Sequence, residues 1–346
     1  MKRALKLITF AAACAVIAGP AAAQQELVVS SFGGEWTDTH RQLVIDGFEK
    51  ETGAKVRIVS GYSADIMAQL QAQRSNPQMD VVHFSGGQEA LAAAEGLLAP
   101  IEPEELSNVA DMYPISVEGL ARGEGPAFAV AAIGVLYNHD ELEEAPTSFL
   151  DLAKDEFEDR VLLVDISNSY GLLGLLMMNK ANGGTLDDIQ PGLDFVGDLL
   201  EKGADVVKGS PEVRQLFAQG DVVIGPYAND HAYRLKEAGA PITFMVPEEG
   251  AAASFLTVNL VAGRPPENRE LALKFIDYTL RPEVAAGWAE DARYSPLNRK
   301  TELPPEVAGD VVYGEEAINQ LVAFDTTKVN EEKPKWIDAW NKLLAQ

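Results

Sequence analysis

The chain has 346 residues, 47% of them apolar, and a formal charge of −25 at pH 7. So acidic a chain is a poor partner for nucleic acid, anionic membrane surfaces and other polyanions. Its single cysteine, Cys14, falls in a segment expected to be removed, which excludes disulfides, thiolate metal sites and cysteine nucleophiles from the mature protein.

Residues 1–23 join Lys2, Arg3 and Lys6 to the apolar run Leu7 to Ile17, followed by Gly19-Pro20 and Ala21-Ala22-Ala23. That is the pattern of a secretory signal peptide cleaved before Gln24. The run is too short to anchor the chain in a bilayer, and Cys14 lies inside it rather than after it, which argues against lipidation. Removing three cations and no acids takes the charge from −25 to −28. About 320 residues of this composition bury a large core and divide into two lobes.

Leu27 to Ser31 reads as a buried strand, ending in "SFGGEW". Leu43, Val44, Gly47 and Phe48 then fall on one side of a helix that stops at Gly53. Val56 to Ser60 is a second strand, with Ser63 expected to cap the next helix. Asp80 to Phe84 is a third, ending at Ser85-Gly86-Gly87 before an alanine-rich helix, Gln88 to Glu95. Ala127 to Asn138 is a long apolar run suited to crossing between lobes. A second set follows, with strands Val161 to Asp165, Asp221 to Ile224, Ile242 to Val246 and Thr257 to Ala262. Trp336, Ile337, Trp340 and Leu344 form an apolar stripe on a final helix docked on a lobe. Strands alternating with helices predict an α/β fold with mainly parallel sheets. Ligands of such sheets sit outside the carboxyl ends of the strands, where Ser31 to Trp36 and Ser85 to Gly87 lie.

Neither phosphate-binding glycine pattern is present, and "SFGGEW" carries no lysine at its helix start, so nucleotide binding is disfavoured. No G-x-S-x-G pentapeptide occurs, and His40, His83, His139 and His231 lie in separate elements, which speaks against a hydrolase triad. No metal-ligand spacing appears beyond a weak "NDH" at Asn229 to His231, so no metal or cofactor is expected. What remains is a set of strand-end loops rich in Gly, Ser, Asn and aromatic residues, which suits binding rather than turnover.

Six segments carry a resemblance: "GGEWTDTHRQLVIDGFEKETGAKV", "DVVHFSGGQEALAAAEGLLAPIEP", "AAIGVLYNHDEL", "FAQGDVVIGPYAND", "VPEEG" and "ALKFIDYTLRPEVAAGWAEDARYSPLNR". In this order they resemble the periplasmic solute-binding proteins of ABC importers, in the spermidine/putrescine-binding group and more distantly the iron(III)-binding one. The resemblance implies a type II periplasmic binding fold: two α/β lobes, two crossing segments near Val130 to Asn138 and Thr243 to Ala253, and hinge closure on the solute. Lobe one is then residues 24–136 plus 251–346, and lobe two residues 137–250. The protein would be a periplasmic monomer of a Gram-negative bacterium that meets an ABC permease transiently. It would not insert into the membrane or bind nucleic acid, and it would not be an enzyme.

The resemblance places the solute against Ser31, Phe32, Gly34 and Trp36, then Ser85, Gly86 and Gly87, with Tyr137 as hinge packing or wall. Asn168, Ser169 and Tyr170 face them, extended by Tyr227, Asn229 and Asp230, with Thr257 after the "PEEG" turn. Polyamine binders place acids at the lobe-two helix start and on the strand after that turn, where this chain has Asn168, Ser169 and Thr257. A buried ammonium without a carboxylate partner is costly, so a zwitterion, a mono- or quaternary amine or a small anion is expected rather than a polyamine. Asp165 and Asp230 could each supply one carboxylate. A polyamine or iron(III) is the alternative solute, and a secreted hydrolase on a two-lobed scaffold the alternative function.

Overall fold

A computed structural model describes residues 25–142 and 144–345, so the expected signal peptide lies outside the described residues. β1 (Glu26–Ser31) runs parallel to β2 (Lys55–Ser60) on one side and β3 (Val81–Ser85) on the other. Two long antiparallel strands follow, β4 (Ala127–Asn138) and, later in the chain, β9 (Ala251–Leu260). Between them come β5 (Leu162–Val164) and β6 (Asp205–Val207), a parallel pair, then β7 (Ile224–Ala228) and β8 (Ile242–Met245) on β4. β10 (Ser295–Pro296) pairs with β4, and β11 (Leu321–Val322) with β9.

β4 and β9 fuse the two lobes into one nine-stranded sheet. Ala127–Ile133 of β4 pairs with β9, and Ile133–Asn138 pairs with β7 and β8. The core changes with the partner: Phe128, Val130 and Ala132 pack with Val29, Phe48 and Trp288, whereas Ile133 and Val135 pack with Leu175 and Phe149. Gly134 sits at that crossover because a Cβ there would run into the Met245 carbonyl and the Phe244 ring.

The expected strands all form, the one read as Thr257 to Ala262 starting earlier, as Ala251–Leu260, and three further readings change. The strand read as Asp221 to Ile224 is Ile224–Ala228, so Pro226 and Tyr227 are strand residues. Ser63 is not the cap of its helix but its first residue; its hydroxyl instead accepts the Ser85 N–H at 3.1 Å, tying two cleft loops together. The helix after β1 changes to a π turn over Arg41–Ile45, which turns both Val44 and Ile45 into the core.

The C-terminal helix Thr326–Leu344 departs from the expected division, which placed 251–346 in lobe one. Its Trp336 and Trp340 are buried among Leu175, Val196 and Leu199 of the second lobe, and the Trp340 indole donates to Asp165 at 3.2 Å. Packing of the apolar stripe, not chain order, sets its place.

Candidate functional site

A cavity of about 730 Å³ opens between the lobes where β1 and β3 end and the helix Ser169–Ala181 begins. Phe32, Gly33, Trp36, Ser85 and Gly86 line one side and Ser167 to Tyr170 the other. Gly33 and Gly34 have φ of 91° and 53°, a left-handed turn open to glycine that starts the helix Gly34–His40. The Gly33 N–H donates to Thr37 Oγ1, which also shares a 2.6 Å hydrogen bond with the Ser31 hydroxyl. Gly86 also has positive φ, and a Cβ there would touch Ser169 across the cleft.

Trp36 is the floor. Its ring stacks on Trp288 at 4.8 Å and meets Phe32 edge-on at 4.7 Å. Beneath it lie His40 and His83, both fully buried, with ring centroids 4.7 Å apart. Burial holds His40 well below its ordinary value, and it brings His83 down to about 4 against the hydrogen bond its ring makes to the Ser30 carbonyl. Both rings are therefore neutral packing elements at pH 7.

The opposite wall is polar. The Asn168 side chain caps its helix by accepting the Tyr170 N–H at 2.9 Å. Tyr170 meets Tyr227 edge-on at 5.5 Å, and burial followed by the charge of Asp230 pushes the Tyr170 hydroxyl well above its usual value. Tyr294 is raised by the same two causes. Asp230, expected from the sequence to touch the solute, does not itself line the cavity but lies behind these tyrosines, 5% exposed, with one carboxylate oxygen lacking a hydrogen-bond partner among the described residues and His231 3.8 Å from the other. A buried carboxylate among phenols, with a neutral imidazole beside it, favours a positive charge from outside.

Of the residues expected from the sequence, Phe32, Trp36, Ser85, Gly86, Asn168, Ser169 and Tyr170 line the cavity. Ser31 is buried below it, Gly34 is exposed beside it, and the Gly87 carbonyl accepts from Asn330 at 3.0 Å. Tyr137 packs on the second-lobe core. Tyr227 is fully buried and bonds Ser210 at 2.7 Å, because its stretch is strand rather than loop. Asn229 is a stitch: it accepts from the Ala132 N–H at 2.9 Å and donates to the Arg293 carbonyl at 2.7 Å. Thr257 points away from the cleft, bonded to Asn259, while Leu256 before it faces the cavity; strand alternation puts neighbours on opposite faces. Asp165 is committed to Ser167 and Trp340, and those hydrogen bonds outweigh its burial and keep it below the usual carboxylate range.

Tyr62, Ser63, Ala64, Gln88, Tyr294 and Lys333 complete the lining. Tyr62, 73% exposed, marks the lip. Lys333 comes from the C-terminal helix, and burial lowers its ammonium from the ordinary lysine value. No local sequence pattern signals it, since it reaches the cleft only because the helix folds back. Arg234 and Glu35 meet across the mouth at 3.4 Å. Among the described residues no group of three or more His, Cys, Asp or Glu is placed to hold a metal ion, and no helix is long and apolar enough to cross a membrane.

Two α/β lobes, two crossing strands and a cleft lined by strand-end loops define the architecture of a two-lobed solute-binding protein. The description of the bacterial extracellular solute-binding proteins matches residues 44–313, and the chain belongs to that family. A spermidine/putrescine-binding periplasmic protein of Salmonella typhimurium is 29% identical over 290 residues, covering 80% of each chain. Among solved structures, an ABC transporter protein from Clostridium perfringens superposes with a TM-score of 0.82 at 22% identity, over 92% of this chain and 99% of the other. The spermidine/putrescine ABC transporter substrate-binding protein of Streptococcus pneumoniae gives 0.78 at 20%, over 93% and 99%.

Proposed function

We propose that the protein captures a small organic solute bearing one ammonium group in the periplasm and delivers it to an ABC permease. A zwitterion fits best. The observation that carries this reading is Asp230: a buried, unpartnered carboxylate oxygen beside the tyrosines that wall an aromatic cleft. One carboxylate with Trp36, Tyr170 and Tyr294 can cage one ammonium. Lys333 and the helix start at Asn168 to Tyr170 lie on the same cavity and suit a carboxylate or phosphonate at the solute's other end. The positions where polyamine binders place acids remain neutral, which counts against a diamine despite the relatives' names. Closure brings Gly86 toward Ser169 and Glu35 toward Arg234, so the bound solute and these contacts select the same lobe arrangement.

The test is a thermal-shift screen of ligand-stripped mature protein against amino acids, betaines, monoamines, diamines, small carboxylates, phosphonates and iron(III). A solute at 100 times its Kd adds about 2.7 kcal/mol to stability. A hit among zwitterions or monoamines that Asp230→Asn abolishes supports the reading. Diamines as the only hits would overturn it, and turnover of an ester with no hit would favour a hydrolase.

A further inference from the structure

A second cavity, of about 510 Å³, lies apart from the cleft on lobe one. Its walls are Glu89 on the helix Gln88–Ala94, the 115–125 segment, Phe255 and Thr257 of β9, and residues 323–327, where the chain leaves β11 for the C-terminal helix. A narrow void of about 60 Å³, also bordered by Glu89, Phe324 and Lys333, separates it from the solute cleft.

Glu89 is 4% exposed, and one of its carboxylate oxygens has no hydrogen-bond partner among the described residues. The one arginine of the cavity does not serve it. Arg122 is engaged with the equally buried Glu124 through two hydrogen bonds, of 2.8 and 3.0 Å. Glu118 and Asp325 add two more acids to the wall, Asp325 occupied in capping the last helix. Four carboxylates therefore face one guanidinium, with Lys333 beyond the void as the other cation near Glu89. Acids in this number attract a cation, and the absence among the described residues of a metal-ligating cluster points away from a bare metal ion.

We propose that this cavity is a second ligand site, which takes a small organic ammonium ion on the Glu89 carboxylate. The occupant would also touch the start of the C-terminal helix, whose far end is packed in the other lobe, so the site lies on the link between the lobes. Burial raises Glu89 to about 7, repulsion from Glu124 adds to the rise, and Arg122 opposes it. A bound ammonium favours the ionised form, so binding near neutrality releases a proton. Affinity then strengthens about tenfold from pH 6 to pH 8.

The experiment is calorimetric titration of the mature Trp36→Ala protein, weakened in the cleft, with 1,4-diaminobutane at pH 6 and pH 8. Binding that strengthens with pH and is lost on adding Glu89→Gln, in a protein whose melting temperature has not fallen, is the expected result. Thr327→Trp, which sets a bulky ring on the cavity wall and leaves the Glu89 carboxylate in place, should abolish the same event and serves if Glu89→Gln does not fold. No binding in Trp36→Ala, or binding that ignores both substitutions, overturns the proposal. Neither outcome depends on the solute of the cleft, because the cleft is impaired in every arm.

Discussion

On the first-lobe side of the cleft, Trp36 lies on Trp288, and His40, His83, Phe128 and Phe275 pack behind them ring against ring. Across the cavity, Tyr170 and Tyr227 also meet edge-on, but their surroundings are hydrogen-bonded: Asn168 caps the helix, Ser210 holds Tyr227, and Asn229 ties three segments together. Among the described residues, the first wall leaves polar atoms unpartnered in its interior, namely both His40 nitrogens, His83 Nε2 and the Trp36 and Trp288 indole nitrogens. The second wall leaves Asp230 Oδ1. The difference divides the labour of binding. One lobe offers a stiff apolar floor that supplies contact area, and the other supplies charge and direction.

That contrast breaks most severely at Trp288, which is 1% exposed and carries Trp36. Trp288→Ala should cost about 3–5 kcal/mol, read from urea unfolding, and should weaken every solute alike because the floor loses its support. An unchanged affinity profile would show that Trp36 holds its place without Trp288.

Acid should attack the floor before the wall. An unfolded histidine protonates near 6.5, whereas His83 in the fold waits until about 4. Between those values the unfolded chain holds more protons, so stability present above pH 6.5 is lost as pH falls toward 4. For His83 alone the loss is of order 3 kcal/mol. Imidazole NMR resonances titrating near 6.5 in the folded protein would contradict the burial argument.

On the wall, Asn229→Ala strands the Ala132 N–H of the crossing strand and the Arg293 carbonyl, both in buried hydrogen bonds. A cost of about 1–3 kcal/mol in unfolding experiments follows. Because Asn229 ties the crossing strand to the Arg293 and Asp310 carbonyls, the substitution should also change the solute on-rate, measurable by stopped-flow tryptophan fluorescence.

The smallest expected effect sharpens the division of roles. Lys333→Gln should leave stability nearly unchanged while costing a zwitterion about tenfold in Kd, or 1.4 kcal/mol, and a monoamine nothing. Equal losses for both solutes would move Lys333 from recognition to packing.

Sequence alone determined the alternation of strands and helices, the apolar crossing strand at Ala127–Asn138 and the glycine turns at Gly33-Gly34 and Gly86-Gly87, because periodicity and positive-φ turns are local properties. It also brought Phe32, Trp36, Ser85 and Asn168 to Tyr170 to the cavity, since strand ends are where such sheets bind. Only the tertiary structure decided the rest. A one-residue register put Leu256 rather than Thr257 on the cleft face, and strand pairing buried Tyr227. Docking of Trp336 and Trp340 on the second lobe carried Lys333 to the cleft from near the end of the chain. Those placements depend on contacts between residues far apart in sequence, and short-range pattern carries no record of them.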